Sequence, residues 1–104
     1  MKLPTSSGKL KKPKYLIVRR VTGDSMLPTL RAGQLVIGSG LFRPAVGSLV
    51  IVEHKDRQIL KRLDKIKADK LYIVGDNKPS STDSRSFGWI ARKQLVATVI
   101  WPKN

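Results

Sequence analysis

What most limits how this chain can fold is the shortness of its apolar runs. "YLIVRRV", "QLVIG", "SLVIVEH", "KLYIVG" and "VATVIW" are each strand-length, and Gly, Pro, Asn, Asp and Ser separate them. No run approaches the roughly 18 residues needed to cross a membrane as a helix. There is no internal repeat and no alternation of strand and helix. "SLVIVEH", a polar "KDR" and "QILKRLDKI" read together as a β-hairpin. "WIARKQL" reads as one short helical turn. The pattern predicts a small, mostly β, antiparallel fold with half-open or barrel-like packing and little helix. With 104 residues, the chain has room for one domain with an adequate core. That domain is expected over residues 15–104, after a loose basic arm over residues 1–14 rich in Pro, Ser, Gly and Lys.

The charge is lopsided. Lys and Arg number 21 against 7 Asp and Glu, a formal net charge of +14. Such an excess points to a polyanionic partner, an anionic membrane surface or an acidic substrate, and otherwise simply aids solubility. Aromatics make up 6% of the chain, too few for the stacking platforms of single-strand binders. No helix-turn-helix, zinc-finger or aromatic RNA-binding motif is present, so a nucleic-acid module is disfavoured. The arm sequence "KLKKPK" could rest on anionic lipid. A basic start with no apolar segment behind it is not a secretory leader. The expectation is a cytoplasmic protein with at most peripheral membrane contact.

Chemistry must come from oxygen or amine groups, because the chain has no cysteine. The one histidine, His54, falls in the polar hairpin segment "VEHKDRQ" and reads as solvated. Two other stretches are unusual. "VTGDSMLPTL" places Asp24, Ser25 and Met26 in a loop punctuated by Gly23 and Pro28. "DNKPSSTDSRSFG" is a thirteen-residue polar loop, long for a domain of this size. Asp83 and Arg85 within it are close enough to pair, and its hydroxyls can satisfy backbone groups, so the loop can be held rigid from within. Lys61 sits in "QILKRL". In a strand it shares a face with Ile59 and Leu63, while Leu60, Arg62 and Asp64 share the other. A lysine between two aliphatic residues is either desolvated, which lowers its pKa, or reaches along the strand edge to water.

Taken in order, "GDSMLPTL", "ILKRL" and "GDNKPSSTDSRSFGWI" resemble the conserved boxes of type I signal peptidases. The resemblance covers roughly residues 21–101 and implies a Ser-Lys endopeptidase on the β-fold of the signal peptidase and LexA-like catalytic core. It implies Ser25 as the nucleophile and Lys61 as the general base, 36 positions apart. Ser81 matches the hydroxyl that orients the lysine, and Asp83 with Arg85 matches a structural ion pair. Gly75 and Asn77 fall on the turn that shapes the site. The Ser25 backbone N–H would serve the oxyanion hole, where Gly23 brings no second side-chain donor. Met26 is expected to pack beneath the nucleophile, Asp24 to face solvent, and Asp76 to do ordinary turn or capping work. No metal or cofactor is implied.

Two departures shape the expected role. The transmembrane helices usual in the bacterial enzymes are not found here, and only "DKIKADK" stands where many carry a large inserted subdomain. Short members resembling nickel-type superoxide dismutase maturation proteases fit better. These remove an N-terminal extension from another protein. Self-cleaving LexA-like repressor domains share the dyad but lack the Gly-Asp-Asn and Asp-Ser-Arg pattern, and rank second.

Overall fold

Leu49, Val50, Ile51 and Val52 are consecutive apolar residues, and all four are buried. In a strand, successive side chains point to opposite faces, so a run without a polar position needs cover on both sides. In the computed structural model, which describes residues 16–103, this run is the centre of a seven-stranded antiparallel sheet. Its strands are β1 Leu16–Arg20, β2 Leu35–Ser39, β3 Leu49–His54, β4 Arg57–Lys67, β5 Lys70–Val74, β6 Ile90–Ala91 and β7 Leu95–Trp101. Their spatial order is β1-β2-β7-β3-β4-β5-β6. The mostly β, antiparallel expectation is met. The arm expected over residues 1–14 lies outside the described residues.

The two faces of β3 feed two cores. Leu49 and Ile51 join Val21, Met26, Leu30, Val36, Val96 and Ala97, with Ile17 and Leu60 packed alongside. Val50 and Val52 join Leu63, Leu71, Ile73 and Ile90, with Ile59 and Phe87 alongside. Between β1 and β4 in the sheet order lie three other strands, β2, β7 and β3. Yet Arg19 of β1 hydrogen-bonds Gln58 of β4 at 2.7 Å. The sheet therefore curls until these strands face each other across a cleft, without a ladder closing the gap.

The β3–β4 hairpin is tighter than its sequence suggests. His54 pairs directly with Arg57, leaving Lys55 and Asp56 as a two-residue turn. Both have positive φ, 52° and 63°, the left-handed backbone that matches the twist of the flanking strands. The loop after β5, expected to be held rigid from within, also contains short helical turns. It holds a 3-10 turn, Lys78–Ser80, and one turn of α-helix, α1, Ser84–Phe87. Asp83 caps α1 by accepting a hydrogen bond from Arg85 N–H. The helical turn expected in "WIARKQL" is confined to a 3-10 turn at Arg92–Gln94, and Ile90–Ala91 instead pair with β5. Among the described residues, no helix is long and apolar enough to cross a membrane.

Candidate active site

Alternation along β4 puts Lys61 opposite Val50 on β3, on the face shared by Ile59 and Leu63. That face is covered by the second core, and Lys61 is only 5% exposed. Of the two courses open to this lysine in sequence, burial rather than reaching out to water is the one taken. Burial lowers its pKa below the ordinary lysine value; the Asp83 carboxylate opposes the shift and the Arg85 guanidinium supports it.

The amine is held by a chain of hydrogen bonds. Lys61 Nζ donates to Ser81 Oγ at 3.0 Å. Ser81 Oγ in turn donates to Asp83 Oδ2 at 2.7 Å. Because the hydroxyl hydrogen is committed to Asp83, a Ser81 lone pair faces the lysine. Asp83 is 1% exposed. It also accepts from Gly75 N–H at 2.7 Å and from the backbone and side chain of Arg85. Burial alone would raise the Asp83 carboxyl. The Arg85 guanidinium, the Gly75 N–H and the Ser81 hydroxyl outweigh it and hold the group far below the usual carboxylate range. Arg85 also donates to Gly75 O at 3.1 Å. The pairing of Asp83 with Arg85 expected from their spacing is thus present.

The loop that carries Ser25 docks onto this assembly through its backbone. Asn77 N–H donates to Ser25 O at 2.8 Å, and Asn77 Nδ2 donates to Asp24 O at 3.0 Å. Gly75 is buried between the two halves. A Cβ there would lie 2.2 Å from Ser81 Oγ and 2.8 Å from Ser25 O, so only glycine lets the serine loop and the lysine-binding hydroxyl approach so closely. Gly75→Ala is therefore expected to destabilise the domain by about 1–3 kcal/mol, read from denaturant unfolding. The same substitution should weaken the Lys61–Ser81 contact, detectable as a change in the Lys61 Nζ chemical shift by NMR. Gly23, with φ of 75°, turns the chain into the loop. Met26 is buried beneath the loop and Asp24 is exposed, as expected.

Two expectations need correction. Asp76 does more than turn chemistry. It forms a two-pronged ion pair with Arg62, at 2.9 and 2.8 Å, and accepts from Thr29 Oγ1. Arg62 also donates to Gly47 O at 2.8 Å. The Arg62 guanidinium holds the Asp76 carboxyl below its usual range against the opposing effect of burial. Thr29 is four residues past Ser25, so this clamp fixes the far end of the serine loop to β4. Adjacent residues of β4 thus serve opposite faces: Lys61 reaches Ser81, and Arg62 reaches the loop. His54 is not simply solvated. Its ring stacks on Phe87 with centroids 4.1 Å apart, and its Nε2 is buried without a hydrogen-bond partner among the described residues. The partners in both cases are remote in sequence, and no local pattern announces them.

Ser25 and Lys61 line one cleft of about 660 Å³. Its wall includes the apolar Val21, Met26, Val36, Ile51, Ile59 and Leu60, and it runs to the tip of the β3–β4 hairpin.

The curled antiparallel sheet thus holds a serine on a braced loop and a buried lysine amine in one cleft. The Peptidase S24-like family model matches residues 1–94. The chain belongs to that family of serine peptidases and LexA-like self-cleaving domains. The sequence boxes alone point first to signal peptidases and second to LexA-like domains, and the family match reverses that order. A comparison with curated proteins returned no match.

Proposed function

We propose that the protein is a Ser-Lys endopeptidase in which Ser25 is the nucleophile and Lys61 the general base. The observation that carries this reading is the buried Lys61 amine, bonded to Ser81 and opening on the same cleft as Ser25. An unperturbed lysine is neutral in roughly one molecule in 2,500 at pH 7. Desolvation raises that fraction. A neutral amine has two N–H groups and one lone pair. Donation to Ser81 orients it and leaves the lone pair for the Ser25 proton.

In the reaction, Lys61 takes the Ser25 proton as Oγ attacks the peptide carbonyl. The carbonyl oxygen becomes an oxyanion, for which the Ser25 backbone N–H is the nearest donor by position. Lys61 then gives the proton to the departing amine, and water, deprotonated by the same lysine, releases the acyl group from Ser25. Gly75, Asn77, Asp83 and Arg85 brace the two reacting groups without touching substrate. The substrate we infer is another protein carrying an N-terminal signal or propeptide. The resemblance to maturation proteases points to the extension of nickel-type superoxide dismutase.

The family match favours one further reading, cleavage of the chain's own polypeptide in the LexA manner. The two separate when the protein is incubated alone and with candidate precursor peptides at rising pH. Under the endopeptidase reading the added peptide is cut and the chain stays whole; a chain that shortens at a rate independent of its concentration supports self-cleavage. In either case the rate should rise with pH as Lys61 deprotonates, with a midpoint below the ordinary value of about 10.4. A rate that stays flat across the neutral and alkaline range contradicts a lysine base.

A further inference from the structure

Among the described residues, two strand edges are left unpaired beside the cleft, and β1 pairs only with β2. β4 pairs with β3 from Arg57 to Arg62, but β5 joins its other edge only from Arg62 onward. Among the described residues, the backbone of residues 57–61 therefore offers an open edge that leads away from Lys61, and an extended peptide can add to such an edge. Along it, Gln58 is three residues from Lys61, a distance of about 10 Å at the usual strand rise.

The side chains at that point are set up for an anion. Arg19 shares its face of β1 with Ile17, which packs on the first core, and Gln58 shares its face of β4 with Leu60, which packs there too. They meet over the apolar floor made by Val36, Ile51 and Leu60. Arg19 Nε donates to Gln58 Oε1 at 2.7 Å, and Arg19 Nη1 to Val18 O at 2.9 Å. Arg20 likewise donates to a carbonyl, Gly33 O, at 2.7 Å. Lys55 and Arg57 line the same end, and among the described residues the one carboxylate in the wall, Asp24, belongs to the Ser25 loop. Two buttressing arginines of the site, Arg62 and Arg85, each hold a carboxylate, whereas Arg19 is held across the cleft by a neutral amide. A carboxylate is the stronger partner for a guanidinium.

Resting on the endopeptidase reading, we propose that the cleft selects peptides bearing Asp or Glu about three residues from the bond cut, with Arg19 as the selecting group. The substrate carboxylate replaces Gln58 as the acceptor, and Arg57 and Lys55 add favourable field. The preference over a neutral residue should be about tenfold in kcat/KM, the worth of one charge-assisted hydrogen bond.

The test uses a chymotryptic peptide library from a denatured yeast lysate, with cuts located by mass spectrometry. The parent protein should show Asp and Glu enriched about three positions from the cut, and the enrichment should shrink as salt rises. Gln58→Glu supplies Arg19 with an internal carboxylate and should bring the acidic-to-neutral ratio near one. Arg19→Glu should turn the preference toward Lys and Arg, which a merely structural role for Arg19 does not produce. Cuts that vanish in Ser25→Ala but show no acidic enrichment overturn this inference and leave the endopeptidase reading intact. Enrichment that survives both Arg19→Glu and Gln58→Glu overturns the assignment to Arg19. A library with no Ser25-dependent cut overturns both readings.

Discussion

Lys61→Met is expected to reduce peptide cleavage on the order of ten-thousand-fold, the scale seen when one member of a nucleophile–base unit is removed. The fold should survive the change. Methionine has nearly the volume of lysine, and the side chain lies between Ile59 and Leu63 and opposite Val50. Replacing a buried amine by an apolar group also removes a desolvation cost. Ser81 keeps its bond to Asp83, so the hydroxyl is not orphaned. Ser25→Ala should lose as much activity, with the thermal midpoint unchanged within a few degrees. Since the two residues act as one unit, the double variant should be no worse than either single one. Turnover and thermal unfolding measured on the same preparations decide the matter. A Lys61→Met protein that cuts within tenfold of the parent removes lysine from the mechanism.

The second large effect concerns stability. Asp83→Asn should cost about 3 kcal/mol or more, in the range for breaking a buried, hydrogen-bonded ion pair. The carboxylate accepts from Gly75 N–H, the Ser81 hydroxyl and Arg85. An amide in its place turns one acceptor oxygen into a donor that faces other donors. Arg85 is partly exposed, so its stranded charge can recover water, and most of the cost falls on the buried Gly75 and Ser81 groups. Activity should fall as well, because Ser81 would no longer present a fixed lone pair to Lys61. The pH dependence follows from the sign of the shift. The folded-state pKa of Asp83 lies below its unfolded value. Its stabilising contribution is therefore complete above the ordinary carboxylate range, about pH 4, and fades as pH falls toward the folded-state value. Denaturant unfolding of parent and variant at neutral and acid pH should show the gap between them narrowing in acid. A constant gap would mean that Asp83 does not ionise as described.

The parts of the site built from neighbours were legible in the chain. Asp83, Arg85 and Ser81 lie within five residues, and their mutual bonds need little beyond the local turn. The face on which Lys61 sits follows from the two-residue period of a strand. The clamp of Arg62, Asp76 and Thr29 was not legible, because its members are 14 and 47 positions apart. A lone aspartate after a strand reads as a turn former until the fold brings Arg62 beside it. His54 reads as solvated until α1 sets Phe87 against its ring.

By itself, the sequence determined the longer strands, their alternation and the brace of Ser81, Asp83 and Arg85, because these depend on side-chain period and contacts between near neighbours. The curl of the sheet decided the rest. It carried Arg19 to Gln58, Thr29 to Asp76 and Lys61 into the cleft of Ser25. Those meetings depend on how two cores pack on either face of β3, and packing of that kind is set by shape and volume summed over the whole chain rather than by any stretch of it.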